Sequence, residues 1–243
     1  MARRFDLFRY SDEQTLADGV ALRWLDELAQ GPPQPQRVAL SGGRITRRFF
    51  NSFVAQCRDR QQELDPIEFF WADERCVPPE HPESNFGMAR QLLLAPLAIA
   101  QNRIHRIRGE IAPTEAAREA ERELRRVTNT AGERVPILDL IFLGMGEDGH
   151  VASLFPERLA EAEAPGAVYR SVIASKAPAE RVTITYQTIA AARQVWVIIS
   201  GAGKGDAFRR SIAANADTPL GRVLELREGT LLLTDLSAVD THG

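Results

Sequence analysis

The chain has 243 residues, 44% of them hydrophobic and 26% charged, with a formal net charge of -3. This is an ordinary globular balance, and it gives no reason to expect nucleic acid or an anionic membrane as a partner. No apolar run is long enough to cross a bilayer, and no signal-peptide pattern follows the first residues. Cys57 and Cys76 form neither a metal-type pair nor a disulfide framework. We therefore expect a cytoplasmic protein with incidental thiols.

Strands and helices alternate along the chain. In order, apolar runs and helical spacing predict a strand at 5–10, a helix at 11–28, a strand at 37–40, a helix at 45–54 and a strand at 67–71. Helices at 84–94 and 114–127 follow, and then strands at 137–143, 168–174 and 181–186. The last predicted elements are a helical turn at 187–192, a strand at 194–200, a helix ending at 214 and a strand at 231–234. Residues 31–35 predict a stiff connector and residues 219–227 a loop. The alternation, without an internal repeat, predicts a single doubly wound α/β domain over residues 1–243, with a mostly parallel, Rossmann-like sheet and helices on both faces.

A glycine turn follows the strand predicted at 37–40. It reads Ser41-Gly42-Gly43, and Arg44 and Thr46 stand at the start of the helix behind it. A strand, a glycine turn and a helix in succession direct free backbone N–H groups and the helix dipole at an anion. The pattern therefore predicts a phosphate-binding turn made by these residues. An ordinary strand-to-helix turn, with glycines for tight packing, explains it equally well.

Charged residues follow the strand predicted at 67–71. Asp73, Glu74 and Arg75 come directly after its aromatic end. Charges at a strand end are often only solvated loop residues. Three in succession at the carboxyl end of a buried strand favour a site, because ligands bind at that edge in open α/β sheets.

The apolar run at 137–143 ends in a glycine-rich loop, Gly144-Met145-Gly146-Glu147-Asp148-Gly149-His150. Its spacing satisfies G-x-G-x-x-G, the fingerprint of a dinucleotide site. We disfavour a nicotinamide cofactor, because Glu147 and Asp148 would face the pyrophosphate. In addition, Pro156 comes too early for a long crossover helix.

A histidine beside a carboxylate suggests a different use of the same loop. Glycines such as Gly146 allow the loop to fold tightly, so that Asp148 and His150 both face the cleft above the sheet. A histidine there can act as a general base near neutral pH, tuned by the carboxylate. A lone histidine more often caps a helix or binds a loop carbonyl. The convergence of several strand ends favours the catalytic interpretation.

A second strand, glycine turn and helix unit lies near the end of the chain. Residues 201–206 read Gly-Ala-Gly-Lys-Gly-Asp. Only Lys176 and Lys204 are lysines among the 30 basic residues, so a lysine within a glycine turn is informative. Its compact, flexible ammonium differs chemically from a guanidinium. Lys204 is therefore a candidate ligand for an anion.

With these motifs, the chain resembles the 6-phosphogluconolactonases, of the superfamily that also includes glucosamine-6-phosphate deaminases. The resemblance runs in order over nearly the whole chain, and the segments that carry it are 41–43, 73–75 with 84–86, 144–156, 181–183 and 201–204. The long central motif is the most specific. Its ending, Ala-Ser-Leu-Phe-Pro at 152–156, is similar to the lactonases, whereas the deaminases typically continue differently.

The resemblance implies hydrolysis of 6-phospho-D-glucono-1,5-lactone to 6-phosphogluconate in the pentose phosphate pathway, with no organic cofactor. We also expect no metal ligands among the site residues. It implies a water activated by His150, an imidazole positioned by Asp148, and Arg75 and Lys204 as further catalytic residues. The implied substrate and phosphate ligands are Ser41, Gly42, Gly43, Arg44, Thr46, Asp73, Asn85 and Gly146. We expect a small sugar phosphate as partner, no nucleic acid or membrane, and a monomer or weak homo-oligomer.

The first glycine turn departs from the family pattern Ser-Gly-Gly-Ser-Thr-Pro, since Arg44, Ile45 and Thr46 follow the glycines here. Arg44 either grips the phosphate through two hydrogen bonds or turns outward and leaves binding to the backbone. Two other functions stay open at this point. One is a glucosamine-6-phosphate deaminase or another sugar-phosphate isomerase on the same scaffold, and the other is a non-catalytic sugar-phosphate sensor.

Overall fold

The computed structural model describes residues 5–30, 35–61, 67–159, 161 and 163–236. Its strands are β1 (Phe5–Arg9), β2 (Gln36–Leu40), β3 (Ile67–Trp71), β4 (Asp73–Arg75), β5 (Leu140–Gly144), β6 (Tyr169–Ile173), β7 (Glu180–Ile184), β8 (Gln194–Ile199) and β9 (Thr230–Thr234). Its α-helices are α1 (Glu13–Gln30), α2 (Arg44–Asp59), α3 (Asn85–Ala89), α4 (Pro113–Thr128), α5 (Tyr186–Ala191), α6 (Gly205–Ile212) and α7 (Pro219–Leu226). Residues 31–34 of the predicted connector lie outside the described residues.

The main sheet has the strand order β1-β9-β8-β5-β2-β3, and every neighbouring pair in it is parallel. In the pair of β5 and β8, Leu140 lies beside Gln194 and Gly144 beside Ile198. Parallel strands end on a common edge, so the loops after β2, β5 and β8 adjoin there. This architecture confirms the predicted fold class.

Aromatic rings hold α1 and α2 against the main sheet. Trp24 of α1 stacks on Phe53 of α2 with ring centroids 4.2 Å apart, and it meets Phe142 of β5 edge-on at 4.9 Å. All three rings are buried. The helical spacing of the apolar residues in both helices places these rings on the inner face. The packing thereby fixes α2, whose first turn follows the loop after β2.

Strands β4, β7 and β6 form a separate antiparallel sheet, which the sequence patterns do not distinguish from the main one. Ala72, between β3 and β4, joins the two sheets. Its N–H donates to the Leu40 carbonyl and its carbonyl accepts from the Ile184 N–H, both at 2.8 Å. The buried Tyr169 hydroxyl also donates to the Trp71 carbonyl at 2.8 Å. The smaller sheet is therefore fixed to the carboxyl edge of the main sheet.

The prediction of a loop at 219–227 is wrong, because this segment forms the helix α7. The Thr218 hydroxyl caps the helix, and a proline occupies its first turn, where no intrahelical N–H bond is lost. Leu220, Val223 and Leu224 then bury one face at helical spacing. Pro219 and Gly221 are typical of a loop, so the sequence alone does not reveal this apolar face.

Several predicted boundaries shift. The strand predicted at 137–143 begins at Leu140, since Ile137 is exposed. The helix predicted at 84–94 begins at Asn85 and continues beyond α3 as a π-helix over Arg90–Leu94. Among the helices that the structure describes, none is long and apolar enough to cross a membrane.

Candidate active site

The loops after β2, β5 and β8 meet at a cleft, to which β4 and β7 also contribute. The residues that line it are Ser41, Gly42, Gly43, Arg44, Ile45, Asp73, Arg75, Asn85, Gly144, Met145, His150, Ala152, Arg181 and Lys204. Because β8, β5 and β2 are neighbours in the sheet, segments distant in sequence come together here. The cleft lies at the edge where ligands bind in open α/β sheets.

The first glycine turn (residues 41–43) needs glycine at two positions for different reasons. A Cβ on Gly42 would lie 1.9 Å from the Oδ1 of Asn85, so glycine leaves room for that carboxamide. Gly43 has a φ of 119° and directly precedes α2, and no side chain of the described residues caps this helix. The first N–H groups of a helix have no partner within it, so they and the helix dipole are available to an anion. The Ser41 hydroxyl is buried and likewise has no hydrogen-bond partner in the described chain.

Glu74 is a buried carboxylate that organises the Asn85 side of the cleft. Its Oε1 accepts from the N–H groups of Asn85 at 2.7 Å and Arg75 at 2.8 Å. Its Oε2 accepts from the Phe86 N–H at 2.7 Å and the Ser84 hydroxyl at 3.1 Å. Burial raises the pKa of Glu74 to about 7, and the backbone N–H donors oppose that shift. Glu74 thus holds the start of α3 in place and fixes Asn85.

Asp73 lines the cleft and joins three of the segments around it. Its Oδ1 accepts from the Asn85 Nδ2 at 3.2 Å, and its Oδ2 accepts from the Ser153 hydroxyl at 2.7 Å. The Ser153 N–H in turn donates to the Thr183 hydroxyl at 3.1 Å. Because all four side chains are buried, this network fixes the loop after β5 against β4 and β7.

The central loop (residues 144–152) folds back on itself beside His150. The Gly146 N–H donates to the His150 carbonyl at 2.8 Å, and a Cβ on Gly146 would lie 2.1 Å from His150 Nδ1. Gly149 has a φ of 87°, and a Cβ there would lie 2.8 Å from the Thr218 side chain. Ala152, at the cleft, has a φ of 49°, which is strained for a residue with a side chain. The glycines are therefore required for the position of the imidazole.

His150 and Asp148 form a hydrogen-bonded pair. His150 Nδ1 lies 2.6 Å from Asp148 Oδ1, and the same oxygen accepts the His150 N–H at 3.1 Å. The ring is 31% exposed and packs against Phe155 with centroids 5.1 Å apart. Burial alone would raise the pKa of Asp148, but the hydrogen bond and charge of His150 outweigh it and lower the pKa to about 2. An ionised Asp148 on Nδ1 leaves Nε2 as the nitrogen for proton transfer.

The cationic side chains at the cleft, among the described residues, are Arg44, Arg75, Arg181 and Lys204. The Arg75 Nη1 donates to the Glu83 carbonyl at 2.7 Å and to its carboxylate at 3.0 Å. The Arg181 Nε donates to the Pro178 carbonyl at 3.0 Å. Arg181 is 8% exposed, and burial lowers its pKa, with the charge of Arg75 adding to the shift. Two guanidinium groups held near each other favour an anionic ligand.

Lys204 and Arg44 lie near each other at the second glycine turn (residues 201–204). Burial lowers the pKa of Lys204, and the charge of Arg44 lowers it further, while Glu147 opposes the shift. A Cβ on Gly201 would lie 2.8 Å from the Arg44 Nη2. The Arg44 guanidinium therefore spans the two glycine turns, and this end of the cleft also favours an anion.

The structure brings most of the predicted site residues to this cleft. Those that line it are Ser41, Gly42, Gly43, Arg44, Asp73, Arg75, Asn85, His150 and Lys204. Asp148 and Gly146 instead lie next to the Nδ1 of the His150 ring. Thr46 is buried, and its hydroxyl donates to the Gly42 carbonyl at 3.0 Å, so it supports the turn from inside. The predicted phosphate contact of Thr46 has no support from this position.

Sequence reasoning does not select Arg181, Met145 or Ala152, although all three line the cleft. Met145 and Ala152 are apolar neighbours of His150 in the central loop, without a chemical signal of their own. Arg181 lies in β7, a strand of the smaller sheet, and its signal is the match of residues 181–183 to the family pattern. That match could have identified it.

Asp73, which lines the cleft, and Asp148, beside the His150 ring, are engaged with other partners. Asp73 accepts from Ser153 and Asn85, and Asp148 accepts from His150. Within the described ranges, no group of three or more His, Cys, Asp and Glu side chains is arranged to hold a metal ion. A reaction without a metal stays a prediction.

The fold and the cleft together define a class of protein. An open parallel α/β sheet carries, at one edge, an anion-binding turn, cationic side chains and a histidine paired with a carboxylate. This combination suits a protein that acts on a small phosphorylated molecule. A family model described as "Glucosamine-6-phosphate isomerases/6-phosphogluconolactonase" matches residues 11–233. The chain therefore belongs to this family, as the sequence motifs predict.

Individual relatives agree with the family match. The 6-phosphogluconolactonase of Treponema pallidum (strain Nichols) is 37% identical over 188 residues, which cover 75% of each protein. The 6-phosphogluconolactonase of Mycobacterium tuberculosis (strain ATCC 25618 / H37Rv) is 30% identical over 244 residues, which cover 98% of each. The solved structure of 6-phosphogluconolactonase from Trypanosoma cruzi has a TM-score of 0.88 at 24% identity, and the match covers 100% of this chain and 99% of that one. The fold is thus shared over the whole length.

Proposed function

We propose that this chain is an enzyme that hydrolyses 6-phospho-D-glucono-1,5-lactone to 6-phosphogluconate, in the oxidative branch of the pentose phosphate pathway. The names of its relatives support the reaction, and the family match supports the substrate class. The observation that carries the proposal is that the His150 imidazole and the first glycine turn line the same cleft. A phosphorylated lactone requires both an anion site and a proton-transfer group at its ester.

In the proposed mechanism His150 acts first as a general base. Its Nε2 takes a proton from a water molecule while the water oxygen adds to C1 of the lactone. The former carbonyl oxygen of the tetrahedral intermediate then carries the negative charge. When the C1–ring oxygen bond breaks, Nε2 returns the proton to the ring oxygen, and the new carboxylic acid ionises to solvent. The imidazole is thereby regenerated.

Asp148 supports this cycle through the other ring nitrogen. Because its pKa is lowered to about 2, Asp148 is ionised at neutral pH, and its Oδ1 accepts from Nδ1 at 2.6 Å. This contact favours the tautomer with the proton on Nδ1, so that the lone pair of Nε2 is directed to the reaction. It also stabilises the imidazolium that forms when Nε2 takes a proton.

Positive charge and backbone N–H groups bind the anionic parts of the substrate in this proposal. We assign the phosphate to the first glycine turn and the N-terminus of α2, where Ser41 and the glycines contribute backbone and hydroxyl donors. Arg75, Arg181 and Lys204 supply charge for the phosphate and for the developing oxyanion. We assign contacts with the sugar hydroxyls to Asp73 and Asn85.

The proposal treats residues 1–243 as one catalytic domain, active in the cytoplasm without a metal or an organic cofactor. Every residue assigned a role comes from one copy of the chain, so the mechanism is compatible with a monomer or a weak homo-oligomer.

The test is turnover of the purified chain on 6-phosphogluconolactone, with spontaneous hydrolysis measured in the same buffer and subtracted. We expect saturable hydrolysis of the lactone and no ammonia from glucosamine 6-phosphate. Ammonia release without lactone hydrolysis would instead identify a deaminase. A melting temperature raised by 6-phosphogluconate, without turnover of the lactone, would identify a binding protein.

A further inference from the structure

A charged cluster outside the proposed chemistry surrounds Arg44. Glu13, the first residue of α1, places its Oε1 3.8 Å from the Arg44 Nη2 and its Oε2 3.0 Å from the Arg48 Nε. The Ser200 hydroxyl, directly after β8, lies 3.2 Å from Glu13 Oε1 and 2.7 Å from Asp235 Oδ2, so its one proton is shared between these two carboxylates. Glu13 is therefore held at the end of β8 while its carboxylate faces two arginines one helical turn apart on α2.

The two arginines differ in their relation to the cleft. Arg44 lines it, and its guanidinium lies against Gly201, where a Cβ would be 2.8 Å from Nη2. Its charge also reaches Lys204, whose pKa it lowers further after the effect of burial. Arg48 is not among the described residues that line the cleft. Glu13 thus connects one arginine at the anion pocket with one outside it.

The ion pair between Glu13 and Arg44 is easily exchanged for a stronger one. The Arg44 side chain is 74% exposed and the Glu13 side chain 32%, with 3.8 Å between the nearest charged atoms. Exposed ion pairs at such separations contribute little, whereas hydrogen bonds from a guanidinium to a phosphate are short, often paired and about twice as strong as neutral ones. A phosphate bound at the N-terminus of α2 would therefore draw the guanidinium away from the carboxylate.

We propose that Glu13 and the substrate phosphate compete for the Arg44 guanidinium, so that this pair sets the preference for phosphorylated over unphosphorylated lactones. The inference rests on the proposed function for the identity of the ligand. In the empty site Glu13 holds Arg44 against Gly201 and offsets part of its charge. In the complex Arg44 binds the phosphate, and Glu13 is a positioning residue that acts through Arg44.

The first experiment compares Arg44→Ser with Arg48→Ser, since both remove a partner of Glu13 from α2 but only one changes the cleft. We expect Arg44→Ser to raise the KM for 6-phosphogluconolactone about tenfold or more, with kcat within about twofold of wild type, because a charged hydrogen bond to the phosphate is lost. The KM for unphosphorylated glucono-1,5-lactone should stay the same. Arg48→Ser should leave kcat unchanged and raise KM by no more than about twofold, the small effect of leaving Glu13 to Arg44 alone. Equal KM values for the two serine variants would overturn the proposal.

The second experiment measures the competition itself with Glu13→Gln and inorganic phosphate as the probe. Glutamine retains an acceptor for the Ser200 hydroxyl, and Asp12 rather than Glu13 accepts the N–H groups of Gln14 and Thr15 at the start of α1. The helix therefore keeps its cap. We expect Glu13→Gln to lower the Kd for phosphate about two- to fivefold, the range of an exposed ion pair.

A double-mutant cycle tests whether Glu13 changes the phosphate affinity through Arg44. If Glu13 acts through Arg44, the change in Kd on Glu13→Gln should largely disappear in the Arg44→Ser background. An equal change in both backgrounds, or no change in either, would overturn the proposal. A wild-type chain that does not hydrolyse the lactone would instead refute the proposed function, while the phosphate cycle would still decide the competition for Arg44.

Discussion

His105 and His150 both lie close to carboxylate oxygens, but the two rings are engaged differently. His105 has a carboxylate on each ring nitrogen, with Glu68 Oε2 2.5 Å from Nε2 and Glu123 Oε1 2.7 Å from Nδ1. Its side chain is 6% exposed, and the ring stacks on Phe70 with centroids 4.6 Å apart. In His150 only Nδ1 has a carboxylate partner among the described residues, and the ring lines the cleft.

Under the proposed mechanism, the difference means that a neighbouring carboxylate does not by itself make a histidine catalytic. Both nitrogens of His105 are occupied, and the ring connects Glu68 of β3 with Glu123 of α4, so it serves the stability of the fold. In the proposed mechanism, His150 keeps one nitrogen for proton transfer, and the cleft supplies a place for the substrate. The free nitrogen and the cleft, not the carboxylate, separate the two roles.

Replacing each histidine by glutamine tests this comparison most strongly. His150→Gln removes the proton acceptor while retaining a polar side chain. We expect kcat on 6-phosphogluconolactone to fall about 10²–10⁴-fold, the usual cost of losing a general base. Steady-state hydrolysis, corrected for the spontaneous reaction, measures the loss. The melting temperature should stay near that of the wild type.

His105→Gln is the matched control for that substitution. A glutamine amide can donate to a carboxylate on one side only, so the ring's contact with either Glu68 or Glu123 is lost, although Arg126 still donates to Glu123. We expect the free energy of unfolding to fall by about 1–3 kcal/mol and the melting temperature by several degrees, with kcat unchanged. If His105→Gln abolished turnover while His150→Gln preserved it, the assignment of the two roles would be reversed.

Gly146→Ala sharpens the comparison by moving the His150 ring without removing it. The new Cβ would lie 2.1 Å from His150 Nδ1 and 2.7 Å from Asp148 Oδ1, so the imidazole must shift. A misplacement of about 1 Å at a catalytic group can cost about 10²-fold in rate. We therefore expect a loss of kcat smaller than that of His150→Gln. Gly205→Ala is the control, since Gly205 has a φ of -57° and its Cβ would meet only the Arg209 Nη1, at 3.7 Å. Undiminished kcat in Gly146→Ala would show that the observed ring position is not required.

Acid should weaken both histidine–carboxylate pairs over the same range. The Arg126 hydrogen bond and, beyond it, His105 lower the pKa of Glu123 from 4.5 to about 2, and His150 lowers that of Asp148 from 3.8 to about 2. Carboxylates with a lowered pKa stabilise the fold above their unfolded values and lose that contribution as the pH falls towards the folded values. Thermal melts of Glu123→Gln should therefore lose about 1–3 °C less than the wild type between about pH 5 and pH 2.5. An equal loss in both proteins would show that Glu123, with its contacts to Arg126 and His105, adds no stability over this range.

Much of the main sheet follows from local patterns in the sequence. Short apolar runs ending in glycine or charge predict β2, β3, β5 and β8, because a strand buried on both faces needs continuous apolar residues. The smaller sheet is not predictable in this way, since its strands resemble any half-buried strand and its pairing is long-range. The helix α7 is missed because a proline and a glycine obscure an apolar face that only the fold reveals.

The candidate site, like the fold, can be predicted from the sequence only in part. Strand-end chemistry predicts Asp73, Arg75, His150 and Lys204, and the structure places all of them at the cleft. The requirement for glycine at Gly42 comes from the Asn85 carboxamide, which is distant in sequence and therefore invisible to local patterns. The role proposed for Arg44 depends likewise on a carboxylate of α1, so no inspection of the first glycine turn alone could have decided it.

The most direct test of the account is the structure of this chain with bound 6-phosphogluconate, the proposed product. The account predicts the phosphate at the N-terminus of α2, against the first glycine turn, and the C1 carboxylate within hydrogen-bond reach of His150 Nε2, about 2.6–3.2 Å directly or through one water. A phosphate bound elsewhere, or a C1 group on the far side of the cleft from the imidazole, would contradict it.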